Sequence, residues 1–426
     1  KKRLNMDDRL IAFKILSKIE HDKAYSNITL DSLLTKYEAT SSSFVSALVY
    51  GVLERKITLD YYLSQFLTQP IKKLNPQVLT ILRMGVYQLK FMDKIPVSAA
   101  VNECVKLSKK SKCGFASGLI NSVLRKISST EIKLPETENK IYDLSIAYSC
   151  PEALVSQFVS DYGLTYTEKI LKESVGAVPI FVRVNTLKIS AEELVFELKK
   201  ENIIAKISDD NNSSLEIIDG KAIFKSSCYE KGFFHAQDLA SQQCICNLAP
   251  QKGDIVFDMC AAPGGKSFTI AETMENEGVV YSFDLYDHKI KLIDDGAKRL
   301  GINIINAKFG DASVFNPDLP KADKILCDVP CAGLGVIRRK PEIKYKDFSF
   351  VDKLCELQYN ILNNASLYLK DKGVLMYSTC SLSKKENESV CEKFLNEHRE
   401  FKNGGMITVE PSHNSDGFFY AKLIKE

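Results

Sequence analysis

The chain has 426 residues, 45% hydrophobic and 26% charged, which excludes a disordered, collagen-like or coiled-coil polypeptide and leaves room for about two to four domains. No apolar run approaches the ~18–20 residues that cross a bilayer, and no apolar segment behind the basic start Lys1-Lys2-Arg3 reads as an export signal. The net charge of +3 conceals an asymmetry: residues 1–130 carry 21 Lys+Arg against 10 Asp+Glu, and the remainder 36 against 44, so a basic front module is expected to meet a polyanion.

In chain order, the first module reads as helical. Apolar residues recur near a 3.6 period in Leu10, Ile11, Phe13, Ile15, Leu16 and Ile19, and again from Val78 to Leu89. Breakers fall at Gln69-Pro70, Asn75-Pro76 and Ile95-Pro96. This predicts an all-α domain of about five to seven helices over 1–130, with no strand-like alternation. Residues 131–150 are polar and read as a linker. Over 151–236 two short helices, the strand-like run Ile180–Asn185, a helix from Ala191 and later short strands predict a small α+β subdomain. From 237 to 426 the alternation becomes regular. Strand-like runs Asp254–Cys260, Val279–Leu285, Ile304–Ala307, Lys324–Pro330 and Gly373–Cys380 are separated by helical stretches. That order predicts an α/β Rossmann-like domain with a mostly parallel sheet, and Phe418–Ile424 is expected to add an antiparallel edge strand.

Twelve cysteines are scattered without a CxxC pair, and the five histidines do not group with them at metal-ligand spacing. The expectation is a reducing cytosolic compartment, no disulfide framework, no metal and individual thiols free for chemistry.

In a doubly wound sheet ligands bind beyond the carboxyl ends of the strands, and the informative residues fall there. The first strand runs into Cys260-Ala261-Ala262-Pro263-Gly264-Gly265-Lys266-Ser267, small residues that let the backbone turn tightly ahead of a helix N-terminus. A P-loop would need glycine where Cys260 stands, and the GxGxxG spacing is missing too. Asp284 ends the second strand, placed to accept from ribose hydroxyls, and Asp311 follows the third, placed for an exocyclic amine. Three successive strand ends equipped in this way predict an adenosine-containing cofactor, S-adenosylmethionine fitting best. Asp328 ends the fourth strand, with Cys331 in the turn behind it, and Cys380 ends the fifth. Cys327 reads as an inert buried thiol, whereas Cys331 and Cys380 are expected to face the cleft.

The stretches around Cys260–Lys266, Asp328–Gly333 and Ser378–Ser381, together with Gln237–Gln242 and Arg183-Val184-Asn185, resemble the signature motifs of RNA 5-methylcytosine methyltransferases of the Nol/Nop/Sun family. The helical front end, with Tyr50-Gly51-Val52 and Asn121–Arg125, is similar to the NusB fold. The pairing resembles bacterial 16S ribosomal RNA methyltransferases of the Sun/Fmu type. That resemblance implies a cytosine-C5 methyltransferase in which Cys380 attacks C6, Cys331 assists release and Asp328 stabilises charge near N3. It implies S-adenosylmethionine as cofactor, held by Cys260, Ala261, Ala262, Pro263, Gly264, Gly265, Lys266, Asp284, Asp311 and Asp328, and 16S ribosomal RNA as partner. From the residues alone, either cysteine could be the nucleophile. Ala332 departs from the family pattern, which often has Ser or Thr there. Arg338, Arg339 and Lys340 after the catalytic turn, and Arg183 and Asn185 in the middle segment, are candidate RNA contacts. Asp238 reads as a helix cap bordering the cofactor cleft. Two other readings stand beside this one: the same chemistry on transfer RNA, and a non-catalytic RNA-binding or antitermination factor. Nothing in the sequence demands a dimer.

Overall fold

A computed structural model describes residues 4–22, 26–176, 178–220 and 223–426. The basic start at Lys1–Arg3 lies outside the described residues. The chain forms two compact units. One comprises the residues up to Val175 together with Ile337–Lys346, and the other Gly176–Val336 with Asp347–Glu426.

The first unit is helical. Among the described residues seven α-helices occupy the stretch from Asp8 to Ser129, joined by a two-residue parallel pairing of Leu4–Asn5 with Tyr37–Glu38 that hydrophobic periodicity did not announce. The helix Pro76–Phe91 shows why the sequence folds this way. Asn75 caps it by accepting from the N–H groups of Gln77 and Val78, Pro76 needs no donor at the first position, and Val78, Ile81, Leu82, Met84 and Val86 are buried. A Cβ at Gly85 would lie 2.5 Å from Leu124, so glycine is what lets helix Ser117–Ser129 approach. Arg83 of the same helix is buried, but its guanidinium grips both Asp60 oxygens at 2.7 Å and Glu20 at 2.6 Å.

One expectation is corrected here. The polar stretch read as a linker contains the helix Lys140–Tyr148, started by Asn139 accepting from Tyr142 N–H. By spatial proximity the helices Glu152–Tyr162 and Leu164–Glu173 fall in the helical unit. The segment Ile337–Lys346 also belongs to this unit. There the Glu342 carboxylate accepts from Ser26 N and Oγ at 3.0 and 2.9 Å, the Lys344 ammonium donates to the Glu54 carbonyl at 2.7 Å and the Tyr345 hydroxyl to the Leu53 carbonyl at 2.9 Å.

The second unit begins with a four-stranded antiparallel sheet in the order Ile204–Ser208, Asn211–Asp219, Ile180–Val184, Phe234–Ala236, backed by the helix Ala191–Lys200. Its larger sheet has seven strands: β1 (Ile255–Asp258), β2 (Val279–Asp284), β3 (Ile305–Phe309), β4 (Ala322–Asp328), β5 (Leu369–Thr379), β6 (Phe401–Val409) and β7 (Phe418–Lys425), in the order β6-β7-β5-β4-β1-β2-β3. Neighbours from β5 to β3 pair in parallel, and β7 is antiparallel to both β5 and β6. Phe418–Lys425 is therefore antiparallel as expected but internal. The edge is β6, whose Lys402-Asn403-Gly404-Gly405 reads as a turn in sequence.

Side chains alternate between two buried faces. Val256, Val280, Leu326 and Met376 pack under one helix layer with residues of Leu239–Leu248, Gly265–Thr273 and Asp287–Leu300. Phe257, Ile325, Cys327, Leu375 and Tyr377 pack under the other, with residues of Val351–Ser366 and Glu388–Glu397. That double burial forces both helix layers to the faces and leaves the carboxyl ends of β1, β4 and β5 as the shared rim.

Candidate active site

β4 and β5 run in register, Asp328 beside Ser378, so the turns behind them start side by side. The Val329 N–H donates to the Ser378 carbonyl at 3.0 Å, and the Ser378 hydroxyl donates to Asp328 Oδ1 at 2.8 Å. Past these strand ends the chain brings Cys331 Sγ to 3.2 Å from Cys380 Sγ, close enough for either thiol to donate to the other. Two devices hold the turns there. The Gly335 N–H donates to the Cys380 carbonyl at 2.9 Å, and a Cβ on Gly335 would stand 1.9 Å from the Gly417 carbonyl oxygen. Beneath, the buried Glu386 carboxylate accepts from the Ala332 N–H at 2.8 Å, the Ser381 hydroxyl at 2.6 Å and Gln358 Nε2 at 3.1 Å. One carboxylate thus ties the Cys331 turn to the Cys380 turn. Ala332 contributes through its backbone, so the loss of a hydroxyl at this position leaves that tie intact. Sequence reasoning missed Glu386 and Gln358, and named Ser378 only as the start of the Ser378–Ser381 stretch, without a role. Glu386 sits in the run Lys384-Lys385-Glu386-Asn387-Glu388, which looks like a solvated helix start.

The loop behind β1 is fixed on three sides. The Ala261 N–H donates to the Phe283 carbonyl and the Gly264 N–H to the Ala261 carbonyl, both at 2.7 Å, with Gly264 at φ 107° and the Ala262–Pro263 peptide cis. Asp284 accepts from the Ala262 N–H at 3.3 Å and the Tyr286 N–H at 3.2 Å, with Lys289 at 3.4 Å. Gln237 donates to the Gly265 carbonyl at 3.2 Å and accepts from Thr269 at 2.7 Å. Gly265-Lys266-Ser267 does not act as a P-loop here. The Ser267 hydroxyl donates to the buried Asp258 at 2.6 Å, and Lys266 donates to Asp328 Oδ2 at 2.7 Å, linking the β1 loop to the end of β4.

Electrostatics follow from this packing. Burial alone would depress Lys266, but the Asp328 charge and hydrogen bond outweigh it and hold the ammonium well above the ordinary lysine range. Burial, reinforced by the Asp328 charge, pushes Asp258 up to about 7. Cys331 is pushed well up, first by its hydrogen bond with Cys380 and then by burial, so it keeps its proton.

Two cavities open along the rim. One of about 180 Å³ is lined by Gln237, Asp238, Ala262, Gly265, Lys266 and Asp328 among others. The second, about 300 Å³, is lined by Met259, Phe283, Asp311, Val314 and Phe315 among others. Asp311 is exposed at its mouth, one oxygen accepting from Ser313 N–H and Oγ at 2.9 and 2.6 Å. Asp238 caps the helix Leu239–Leu248 through the Ala240 N–H at 3.0 Å and lines the smaller cavity. The larger cavity has aromatic walls at Phe283 and Phe315 and the smaller is bordered by the small-residue loop, while Asp284 lines neither. A Cβ at Gly265 would come no closer than 3.8 Å to a neighbour, so the space above it is open.

The four arginine and asparagine positions expected to touch RNA are engaged by the protein. Arg183 is 6% exposed and pairs with buried Glu272 at 2.9 Å. Asn185, fully buried, donates to the carbonyls of Gly232 and Leu300 at 2.9 and 2.8 Å. Both tie the small sheet to the helices of the large one, which corrects the expectation for this pair: a strand residue reads identically in sequence whether its side chain faces solvent or a helix. Arg338 is buried, Arg339 half-buried, and both have interaction partners within the protein. Both lie in the segment that belongs to the helical unit.

Among the described residues every cysteine is a thiol, no group of three or more His, Cys, Asp and Glu side chains could hold a metal ion, and no helix is long and apolar enough to cross a membrane.

Three known families match parts of the chain. Residues 245–424 match the family described as 16S rRNA methyltransferase RsmB/F, residues 6–129 the NusB family, and residues 150–223 the RsmF/B-like ferredoxin-like domain. A curated relative from Bacillus subtilis (strain 168), named probable ribosomal RNA small subunit methyltransferase B, is 35% identical, the alignment covering 98% of each chain. A crystal structure of PH0851 is similar over 100% of both chains, with a TM-score of 0.82 and 26% identity. The crystal structure of NSun6 from Pyrococcus horikoshii with SFG is similar over 65% of this chain and 98% of that one, with a TM-score of 0.60 and 25% identity.

Proposed function

This chain belongs to the ribosomal RNA small subunit methyltransferase B family, and from that premise we propose that it places a methyl group on C5 of a cytosine in 16S ribosomal RNA through a covalent adduct with Cys380. The observation that carries the reading is the 3.2 Å contact of two thiols beside the Lys266–Asp328 pair, at the ends of adjoining strands. S-adenosylmethionine would be held by the loop Cys260–Lys266 with Asp284 and Asp311, and when bound would supply the methyl group from its sulfonium, leaving as the neutral thioether.

Cytosine C5 is a poor nucleophile until C6 is substituted. The two thiols are close enough to share a hydrogen bond, and in this reading Cys331 is the donor and Cys380 the sulfur that attacks as thiolate. The Cys380 thiolate forms a bond to C6, and the electrons of the C5–C6 double bond shift toward C4 and N3. N3 takes a proton from solvent, and the Asp328 carboxylate accepts a hydrogen bond from the N3–H so formed, with the Lys266 ammonium behind it compensating charge. C5 of the resulting enamine then takes the methyl group. Release requires loss of the C5 proton, after which the double bond re-forms and Cys380 leaves as thiolate. For Cys331 to serve as the base it gives its own proton to solvent, and the resulting thiolate takes the C5 proton, directly or through water, while the N3 proton returns to solvent as the double bond re-forms. The target base must be unpaired or flipped to reach this rim.

The test is incubation with methyl-labelled S-adenosylmethionine and naked 16S ribosomal RNA, transfer RNA or assembled 30S subunits, followed by mapping of the label. Label at a ribosomal cytosine that disappears in Cys380→Ala supports both chemistry and substrate. Label confined to transfer RNA overturns the substrate, and label on another base or another cytosine atom overturns the chemistry.

A further inference from the structure

The Sγ atoms of Cys331 and Cys380 stand 3.2 Å apart, and a disulfide needs about 2.05 Å, so roughly 1 Å of side-chain movement separates the two states. The backbone on both sides is already fixed. The Gly335 N–H holds the Cys380 carbonyl at 2.9 Å, and the buried Glu386 carboxylate takes the Ala332 N–H at 2.8 Å and the Ser381 hydroxyl at 2.6 Å. Each cysteine therefore has its next residue fastened to the same carboxylate. Both thiols are half-buried, which leaves them open to a small solute. The other cysteines lack this arrangement. Seven of the twelve are buried, Cys246 is exposed, and among the described residues no other pair of thiols is hydrogen-bonded.

We propose that Cys331 and Cys380 form a redox switch, which hydrogen peroxide closes into a disulfide that stops methyl transfer and which a dithiol reopens. The inference rests on the reading that these two thiols carry the reaction. In the first step one sulfur attacks the peroxide as thiolate and the O–O bond breaks. The hydroxide released takes a proton and leaves as water, and the sulfur becomes a sulfenic acid. The second sulfur then attacks the first. Its proton and the sulfenic hydroxyl leave together as a second water, and the S–S bond forms. Two thiols have lost two electrons and two hydrogens, and one peroxide has become two waters. The linked pair offers no thiolate for C6 and no base for the C5 proton, so each closed molecule is inactive. The contact also keeps the oxidation reversible. A sulfenic acid with a thiol beside it condenses, whereas an isolated one meets a second peroxide and becomes a sulfinic acid, which a dithiol does not reduce.

The experiment uses the reduced full chain, treated with hydrogen peroxide, then blocked with a thiol alkylator and mapped by peptide mass spectrometry. Methyl transfer to 16S ribosomal RNA is measured on the same samples. The map should show the Cys331 and Cys380 peptides joined and two hydrogens lighter, with Cys246 joined to no other peptide. Activity should fall in proportion to the joined fraction and return with dithiothreitol. In Cys331→Ser, read by formation of the covalent RNA adduct, peroxide should carry Cys380 to the sulfinic acid, and dithiothreitol should restore nothing. Two unmodified thiols after treatment that oxidises Cys246 overturn the proposal, as does a sulfinic acid in place of the disulfide in the wild type. A joined pair with undiminished methyl transfer overturns the switch and removes these thiols from the reaction. If the untreated protein methylates no RNA, the functional reading fails, and the peptide map still decides whether the pair closes.

Discussion

Cys331 and Cys380 lie 49 positions apart in the chain and 3.2 Å apart in space, and the chemistry depends on which of them holds the proton. In Cys331→Ala, attack at C6 remains and release is lost, so a covalent protein–RNA complex should accumulate as a shifted band on denaturing gels. Cys380→Ala should give none, and a band in Cys380→Ala with none in Cys331→Ala would reverse the roles. The thiols were legible in sequence because each follows a strand-like run in a turn. Glu386, which holds both turns, was not, since a carboxylate in a charged run looks the same whether it faces water or two buried turns. Glu386→Ala would leave the Ala332 N–H, the Ser381 hydroxyl and Gln358 Nε2 without their shared acceptor. It should cost on the order of 3 kcal/mol in urea unfolding. A loss under about 0.5 kcal/mol would show that water replaces the carboxylate.

Strands β1, β4 and β5 were found at nearly the expected positions, because strands buried on both faces are written as near-continuous apolar runs. β6 was not found, as its glycines and lysine carry the signature of a turn and its pairing with β7 is visible only in the fold. At the end of β1, Asp258 is an acid built into a core position. Its pKa rises from the ordinary 3.8 to about 7. Between those values the folded chain keeps a proton that the unfolded chain has lost, so the stability contributed by this site falls as pH rises from about 4 to 7 and is level above it. Asp258→Asn, which accepts from Ser267 without carrying charge, should remove that fall. Chemical denaturation of both proteins at pH 5 and pH 8 checks it: the variant should gain on the wild type at pH 8, and parallel behaviour at both pH values would contradict the assignment.

Across the whole molecule, the segment Ile337–Lys346 leaves the catalytic part of the sequence to complete the helical unit, more than 300 positions from Ser26, with which Glu342 bonds. Burial pushes Lys344 there down to about 8 from the ordinary 10.5. Below pH 8 folded and unfolded chains both hold its proton. Between about 8 and 10.5 only the unfolded chain does, so stability rises with pH through that window by at most about 3 kcal/mol. Lys344→Met should abolish the rise, as read from the difference between wild-type and variant melting temperatures at pH 7.5 and 10. The sequence by itself determined the helical front, the α/β body, the small-residue cofactor loop and the two candidate thiols, because each is written in local periodicity or in a short motif at a strand end. Only the tertiary structure decided that Arg183 and Asn185 are internal ties, that Lys266 pairs with Asp328, that Glu386 fastens the Cys331 and Cys380 turns together and that residues 337–346 belong to the helical unit. Those outcomes depend on which distant surfaces meet, and a side chain's burial and partners are set by that meeting rather than by its neighbours in the chain.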